Sequence, residues 1–336
     1  MAAEIKYNKN GIPEFDDLPL RNADPRRSAW GLYGDKDELG FLNRLTDERV
    51  AAAANSEIQT GRRISLNWPL DAQAADGGSA FFGRGAFHQQ LLTEAPFTGN
   101  DDVWTFNSQI STQWDGLRHF GYQKEKLFYN GVTMEQIHAS DGEHGKSIIN
   151  GIQGKPPPWS EQGVVGRGVL VDLHSWRGAH SDLGAYNAFD STSIPLSDLR
   201  ACLEFQGTEL RFGDILIIRS GFMAQHAQKT QAEITAHQQV HRFVGLEQSE
   251  DVLRWIWDNF SAVAGDQPAL ECWPTQKDWL LHEVLLGGWG CPIGELFSLE
   301  KLAAHCREQK RWSFFVSSEP CNVPGGVARF VHEGVA

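Results

Sequence analysis

Three kinds of feature are missing from this sequence, and each absence excludes a class of protein. There is no C-x-x-C pair: the five cysteines, Cys202, Cys272, Cys291, Cys306 and Cys321, are scattered and odd in number. That pattern speaks against a disulfide framework or a zinc knuckle and for reduced thiols in an intracellular protein. No run approaches the roughly 20 apolar residues of a membrane span. The opening M-A-A-E-I-K-Y-N-K-N-G has no apolar h-region, and the closing V-H-E-G-V-A carries no peroxisomal or retention signal. The expected location is cytoplasmic. Positive charge is in deficit, with 30 Lys and Arg against 43 Asp and Glu and a formal net charge of −13. Nucleic acid and anionic membrane surfaces are therefore not expected as partners. A small anionic substrate remains compatible, because a local site can oppose the global sign.

Internal repeats, low-complexity tracts and linker-like shifts in composition are also absent. Residues 1–29, polar and broken by Pro13 and Pro25, read as an arm over the surface or a partner subunit. Residues 30–336 read as one catalytic domain with long loops. The 41% hydrophobic content supplies a sizeable core, and most of the twelve tryptophans are expected in the core or at interfaces.

Local patterns give the order of elements. Thr46 caps a helix to about Ile58, with Asp47 and Glu48 in its first turn and Gly61 as its stop. R-I-S-L-N-W-P-L alternates as a strand until Pro69, and V-W-T-F-N-S-Q-I (103–110) as another. Residues 71–86 and 140–163 read as long loops. G-V-L-V-D-L-H (168–174) and D-I-L-I-I-R-S-G (214–221) are continuous apolar runs, suited to strands buried on both faces. A helix is expected over about Ser249–Phe260, followed by the strand S-A-V-A-G-D. A helix follows over Asp278–Leu286, another capped by Ser298 to about Gln309, and a final strand in R-W-S-F-F-V-S-S.

The chemistry concentrates in S-Q-I-S-T-Q-W-D-G-L-R-H-F-G-Y-Q (108–123). Asp115 and His119 lie four residues apart in an aromatic, apolar segment, where they can share a proton or a metal ion. Alone, D-x-x-x-H is more often a surface ion pair. The second half of a site is expected near Glu271, His282 and Glu295. Glu295 sits in G-C-P-I-G-E-L-F, and a carboxylate among apolar residues requires a partner or a metal. Asp266 raises the same question. His282, on an apolar helical face, also fits a core histidine.

The ordered blocks D-E-L-G-x-L-N, Q-W-D-G-L-R-H-F, G-V-V-G-R-G-V-L-V-D, G-D-I-L-I-I-R-S-G and N-V-P-G-G-V cover roughly residues 30–330. They resemble the cyclase family that includes kynurenine formamidase and isatin hydrolase. The family signature H-x-G-T-H-x-D-x-P-x-H places its metal-binding Asp on Asp115 and its catalytic His on His119, with Thr112 matching. Its two metal-binding His fall on Gln109 and Gln113, and its Pro on Leu117. A later His and Glu ligate the metal in relatives, and His282 and Glu295 resemble them.

The resemblance implies an α/β fold of the swivelling β/β/α kind, with a mixed sheet or barrel-like core and surrounding helices. It implies a divalent metal held by Asp115, Gln113, His282 and Glu295, with His119 catalytic. Imidazole suits zinc, whereas an amide oxygen is harder and weaker, so Mn²⁺, Mg²⁺ or loosely held Zn²⁺ is expected. Trp114, Gln109 and His174 are expected to contact substrate. The implied activity is hydrolysis of a cyclic amide, aryl formamide or lactone, with a small aromatic or cyclic substrate and a homo-oligomeric assembly. A lyase or ring-closing activity on the same site, and a metal-free binding protein, are the alternatives.

Overall fold

A computed structural model describes residues 5–73, 80–138, 159–180, 182–323 and 325–335. Among the described residues there are twelve strands: β1 (Ile64–Ser65), β2 (His88–Thr93), β3 (Asn100–Thr105), β4 (Gln113–Asp115), β5 (Val164–Val171) and β6 (Ser193–Ile194), then β7 (Asp214–Ile218), β8 (Gly245–Leu246), β9 (Phe260–Gly265), β10 (Ile293–Glu295), β11 (Ser313–Pro320) and β12 (Ala328–Val335).

Eight of these form one mixed sheet in the order β1-β12-β11-β5-β7-β9-β10-β4. Strands β5, β7, β9 and β10 run parallel at its centre. β12 also pairs with β4, so the sheet curls until it closes on itself. The parallel strands are buried along nearly their whole length, as the apolar stretches 169–171, 215–218 and 262–264 require of strands covered on both faces. Helices cover the outside of the sheet. The helix Glu250–Asn259 is capped by Ser249 and lays Val252, Leu253, Ile256 and Trp257 into the core. Residues 5–29 pack on this helix: Phe15 is fully buried, Arg27 pairs with Glu250, and the Trp257 Nε1–H donates to the Pro13 carbonyl at 2.9 Å.

The helix after Thr46 forms as the sequence predicts, over Asp47–Glu57, with the Thr46 side chain accepting from the Arg49 N–H. Other expectations are corrected. The strand expected over R-I-S-L-N-W-P-L is only β1, because the chain leaves the sheet after two residues. The strand leading into the 108–123 segment belongs to a β2–β3 hairpin outside the main sheet, exposed along almost its whole length. The helical segment near His282 is a π-helix over Glu283–Gly288. Ser298 does not cap the next helix; its backbone N–H donates to the Leu66 carbonyl, and Leu299 stands at the cap of Glu300–Gln309. R-W-S-F-F-V-S-S is not the last strand, since β12 follows it and closes the sheet. Most of the 140–163 loop and part of the 71–86 loop lie outside the described residues. No helix among the described residues is long and apolar enough to cross a membrane.

Candidate active site

Two short strands bring the two halves of the site together. β10 pairs antiparallel with β4, setting Glu295 opposite Gln113 and Ile293 opposite Asp115. Side chains alternate along a strand, so Gln113 and Asp115 share one face with Glu295, and Trp114 takes the other. After β4 the chain turns at Gly116, whose carbonyl accepts the His119 N–H at 2.9 Å, and His119 returns beside Asp115. His282 arrives from across the chain at the head of the π-helical turn. Such a turn is rare and often marks a functional site.

A chain of amides and carboxylates fixes this cluster. The Gln109 Nε2 amide donates to Asp115 Oδ1 at 2.5 Å and lies 3.3 Å from His119 Nδ1. The Gln113 amide donates to Gln109 Oε1 and to Glu295 Oε2, both at 3.1 Å. The carboxylates dictate these amide orientations, because a flipped glutamine would set oxygen against oxygen. Glu295 Oε1 also accepts from the Leu270 N–H at 3.2 Å. Glu271 holds His282 twice, accepting its backbone N–H at 3.2 Å and its ring Nδ1 in a short contact. His282 Nε2 is thereby turned inward, 3.3 Å from Glu295 Oε1 and 3.7 Å from Asp115 Oδ2.

Asp115 Oδ2 and Gln113 Oε1 are both buried without a hydrogen-bond partner. His119 Nε2 stands 3.8 Å from the same Asp115 oxygen. Asp115, His119 and His282 each offer a donor atom, all within 4.8 Å of one another. A fully buried carboxylate oxygen that faces two imidazole nitrogens at 3.7 and 3.8 Å, too far for a hydrogen bond to either, fits a cation. The carboxylate–histidine pair Glu271–His282 is the support that metal-ligating imidazoles usually carry. The donor set therefore fits a divalent metal.

The electrostatics sort the groups by charge. Burial pushes Asp115 up, but the His119 and His282 imidazoles outweigh it and hold the carboxyl below its ordinary range. Burial and the Asp115 charge push Glu295 the other way. Burial alone would depress His282, yet the Glu271 carboxylate beside it raises it well above the usual imidazole value. Burial lowers His119 against the opposing pull of the Asp115 charge, which favours the neutral ring.

Above the cluster opens a cavity of about 220 Å³. Arg84, His119, His282 and Glu295 supply its polar lining, and Phe82, Phe120, Trp273 and Leu280 its apolar walls. Trp114 is not part of it. Its fully buried ring packs edge-on against Phe297 and its Nε1–H donates to Ser318 Oγ at 2.9 Å, because the strand alternation that presents Gln113 and Asp115 turns Trp114 away. His174 is also outside the cavity lining. It sits in the helix after β5, so close to Gly221 that a Cβ there would overlap its ring. Asp266 is taken up by backbone: it accepts from the Ser220, Gly221 and Met223 N–H groups and from Ser220 Oγ.

Sequence reasoning missed Arg84, Phe82, Phe120, Trp273 and Leu280 as lining residues. Phe120 adjoins His119 and Trp273 lies two residues after Glu271, so proximity to the motif residues was an available signal. Phe82 and Arg84 carried none, since a loop of Ala, Gly and Asp hides which of its side chains turn inward.

No curated protein matches the chain. Among solved structures, it is similar to one described as a novel cyclase, at 29% identity and a TM-score of 0.75, over 92% of this chain and 99% of that one. Isatin hydrolase A from Labrenzia aggregata, bound to benzyl benzoate, shares the fold at 11% identity and a TM-score of 0.53, over 82% and 93% of the two chains. Isatin hydrolase A from Ralstonia solanacearum does so at 12% identity and a TM-score of 0.54, over 86% and 97%. The family model described as putative cyclase matches residues 45–271, and the chain belongs to that family.

Proposed function

We propose that this protein is a metal-dependent hydrolase of a cyclic amide, aryl formamide or lactone with an aromatic or polycyclic body. The observation that carries the reading is the buried, unpartnered Asp115 Oδ2 facing the His119 and His282 rings beneath an aromatic cavity. Asp115, His282, Glu295 and the free Gln113 Oε1 are the residues that would hold the cation. One imidazole, two carboxylates and an amide oxygen suit Mn²⁺, Mg²⁺ or weakly held Zn²⁺. When bound, such a cation lowers the pKa of water and polarises a carbonyl.

The chain's own groups do the rest. Glu271 would keep the His282 proton on Nδ1 when a cation is bound, so that the Nε2 lone pair would face the cation. The Gln109 amide beside Nδ1 of His119 selects the neutral tautomer with its proton on Nε2. His119 moves the proton of the attacking water to the leaving nitrogen or oxygen. Phe82, Phe120, Trp273 and Leu280 bury the substrate ring and exclude bulk water.

A panel of lactones, cyclic amides and N-formyl aromatics, read by product mass, tests the reading. Hydrolysis adds one water to the substrate. A product that conserves mass or loses water assigns a ring-closing or lyase activity instead, and no turnover of any panel member overturns the proposal.

A further inference from the structure

Arg84 is the cation of the cavity that the proposed reaction does not use. It follows the short turn Phe81–Gly83, in which Phe82 adopts φ 62°, a left-handed backbone that a bulky residue seldom takes. The Ala80 N–H donates to the Arg84 carbonyl at 2.9 Å and closes the turn. The Phe82 ring stacks on His241 at 5.2 Å and 6°. The Arg84 guanidinium in turn lies 4.9 Å from the Phe82 ring centre. This half-buried side chain is thus held in place by its own loop and aimed into the cavity.

No carboxylate among the described residues pairs with it directly. Among the described residues Arg84 makes one hydrogen bond, from Nη1 to the Gln109 carbonyl at 3.0 Å, and no ion pair. Neither site carboxylate forms an ion pair with it: Glu295 accepts from Leu270 and Gln113, and Asp115 Oδ1 from Gln109, and the two charges act on the guanidinium only from a distance. A guanidinium carries five donors in a planar fork matched to a carboxylate, and a half-buried one with no carboxylate in hydrogen-bond contact leaves most of them unused. The protein as a whole is strongly acidic, so a cation retained in this cavity opposes the global charge.

We propose that Arg84 binds the free carboxylate of the substrate, so that the hydrolase acts on an aromatic amide or lactone that is itself an anion. The substrate class rests on the hydrolase reading; the anion site rests on Arg84 and the cavity alone. The ring of such a substrate lies between Phe82, Phe120 and Trp273, and its carboxylate meets the guanidinium at a position distinct from the scissile carbonyl beside His119.

Calorimetric binding of 2-naphthoate and its neutral isostere 2-naphthamide tests this, using the wild type and the variants R84Q and R84K, with thermal unfolding as the control for folding. The expected result is a carboxylate preference of at least tenfold in the wild type, lost in R84Q and partly kept in R84K. Equal binding of the two ligands by the wild type overturns the proposal. So does a carboxylate preference that survives in R84Q, which assigns the anion to a bound metal ion. The two readings fail separately. Arg84-dependent preference without turnover of the hydrolysis panel removes the hydrolase and keeps the anion site. Turnover of carboxylate-bearing substrates with the same KM in R84Q does the reverse.

Discussion

Glu271 grips His282 at two points, accepting from its backbone N–H and from its ring Nδ1, and so decides which ring nitrogen faces Asp115. The pair is fully inside the protein, where an unmatched carboxylate would be costly. Glu271→Gln keeps the shape but sets an amide against Nδ1, favouring the tautomer with the proton on Nε2. Metal affinity is expected to fall by about 10–100-fold, the usual effect of losing such a support. Competition against a chromophoric chelator measures it. Unchanged affinity would show that His282 is not a ligand.

Gln109 and Gln113 stand where the family signature has metal-binding histidines, and here they form a relay between Asp115, His119 and Glu295. The double substitution Gln109→His with Gln113→His replaces amide groups by imidazole and is expected to tighten zinc at least tenfold relative to manganese, by the ordinary preferences of these donors. Zinc and manganese titrations of the two proteins decide it. A ratio that does not move would mean that position 113 takes no part in holding the cation.

Trp114 supports the site from behind. Trp114→Phe removes the bond to Ser318 Oγ and part of the edge contact with Phe297, at a cost of about 1–2 kcal/mol of stability. Because the ring faces away from the cavity, KM is expected to stay unchanged. Denaturant unfolding with steady-state kinetics separates the two effects, and a rise in KM with unaltered stability would place Trp114 in the substrate pocket after all.

His226 gives the fold a pH dependence independent of the site. Its ring packs edge-on against Trp68 at 5.0 Å and beside Phe222 at 5.8 Å, with Nε2 buried and unpartnered. Burial, aided by the Lys229 charge, lowers its pKa to about 4. The unfolded chain takes up this proton near the ordinary imidazole value of about 6.5, whereas the folded chain refuses it until about pH 4. Unfolding therefore gains a proton, and stability falls as pH drops through that window, by about 3 kcal/mol at its lower end. His226→Phe is expected to flatten this part of the profile, seen by urea unfolding at pH 7 and pH 4.5. Parallel profiles for variant and wild type would contradict it.

The sequence carried the central strands clearly, because β5, β7 and β9 are covered on both faces and each holds an apolar stretch of three or four residues, despite Arg167 in β5 and Ser261 in β9. The Asp115–His119 spacing and the isolated acids Glu271 and Glu295 were readable for the same reason: a charged residue in an apolar setting needs a partner. What stayed hidden depends on contacts remote in sequence. Trp114 looked like a pocket wall until its strand was paired with β10, which fixed the face it presents. Ser298 had the chemistry of a cap, but its backbone was claimed by Leu66. Arg84 was invisible because its orientation comes from a strained turn and a ring stacked on His241, neither of which leaves a periodic trace.

The central claim is that Asp115 holds a cation on which hydrolysis depends. Elemental analysis of protein purified without chelator, paired with hydrolysis assays of the wild type and Asp115→Asn, tests it most directly. The account predicts a divalent metal near one equivalent in the wild type, its loss in Asp115→Asn, and a fall in activity of at least 100-fold. An Asp115→Asn protein that kept both its metal and full activity would contradict it.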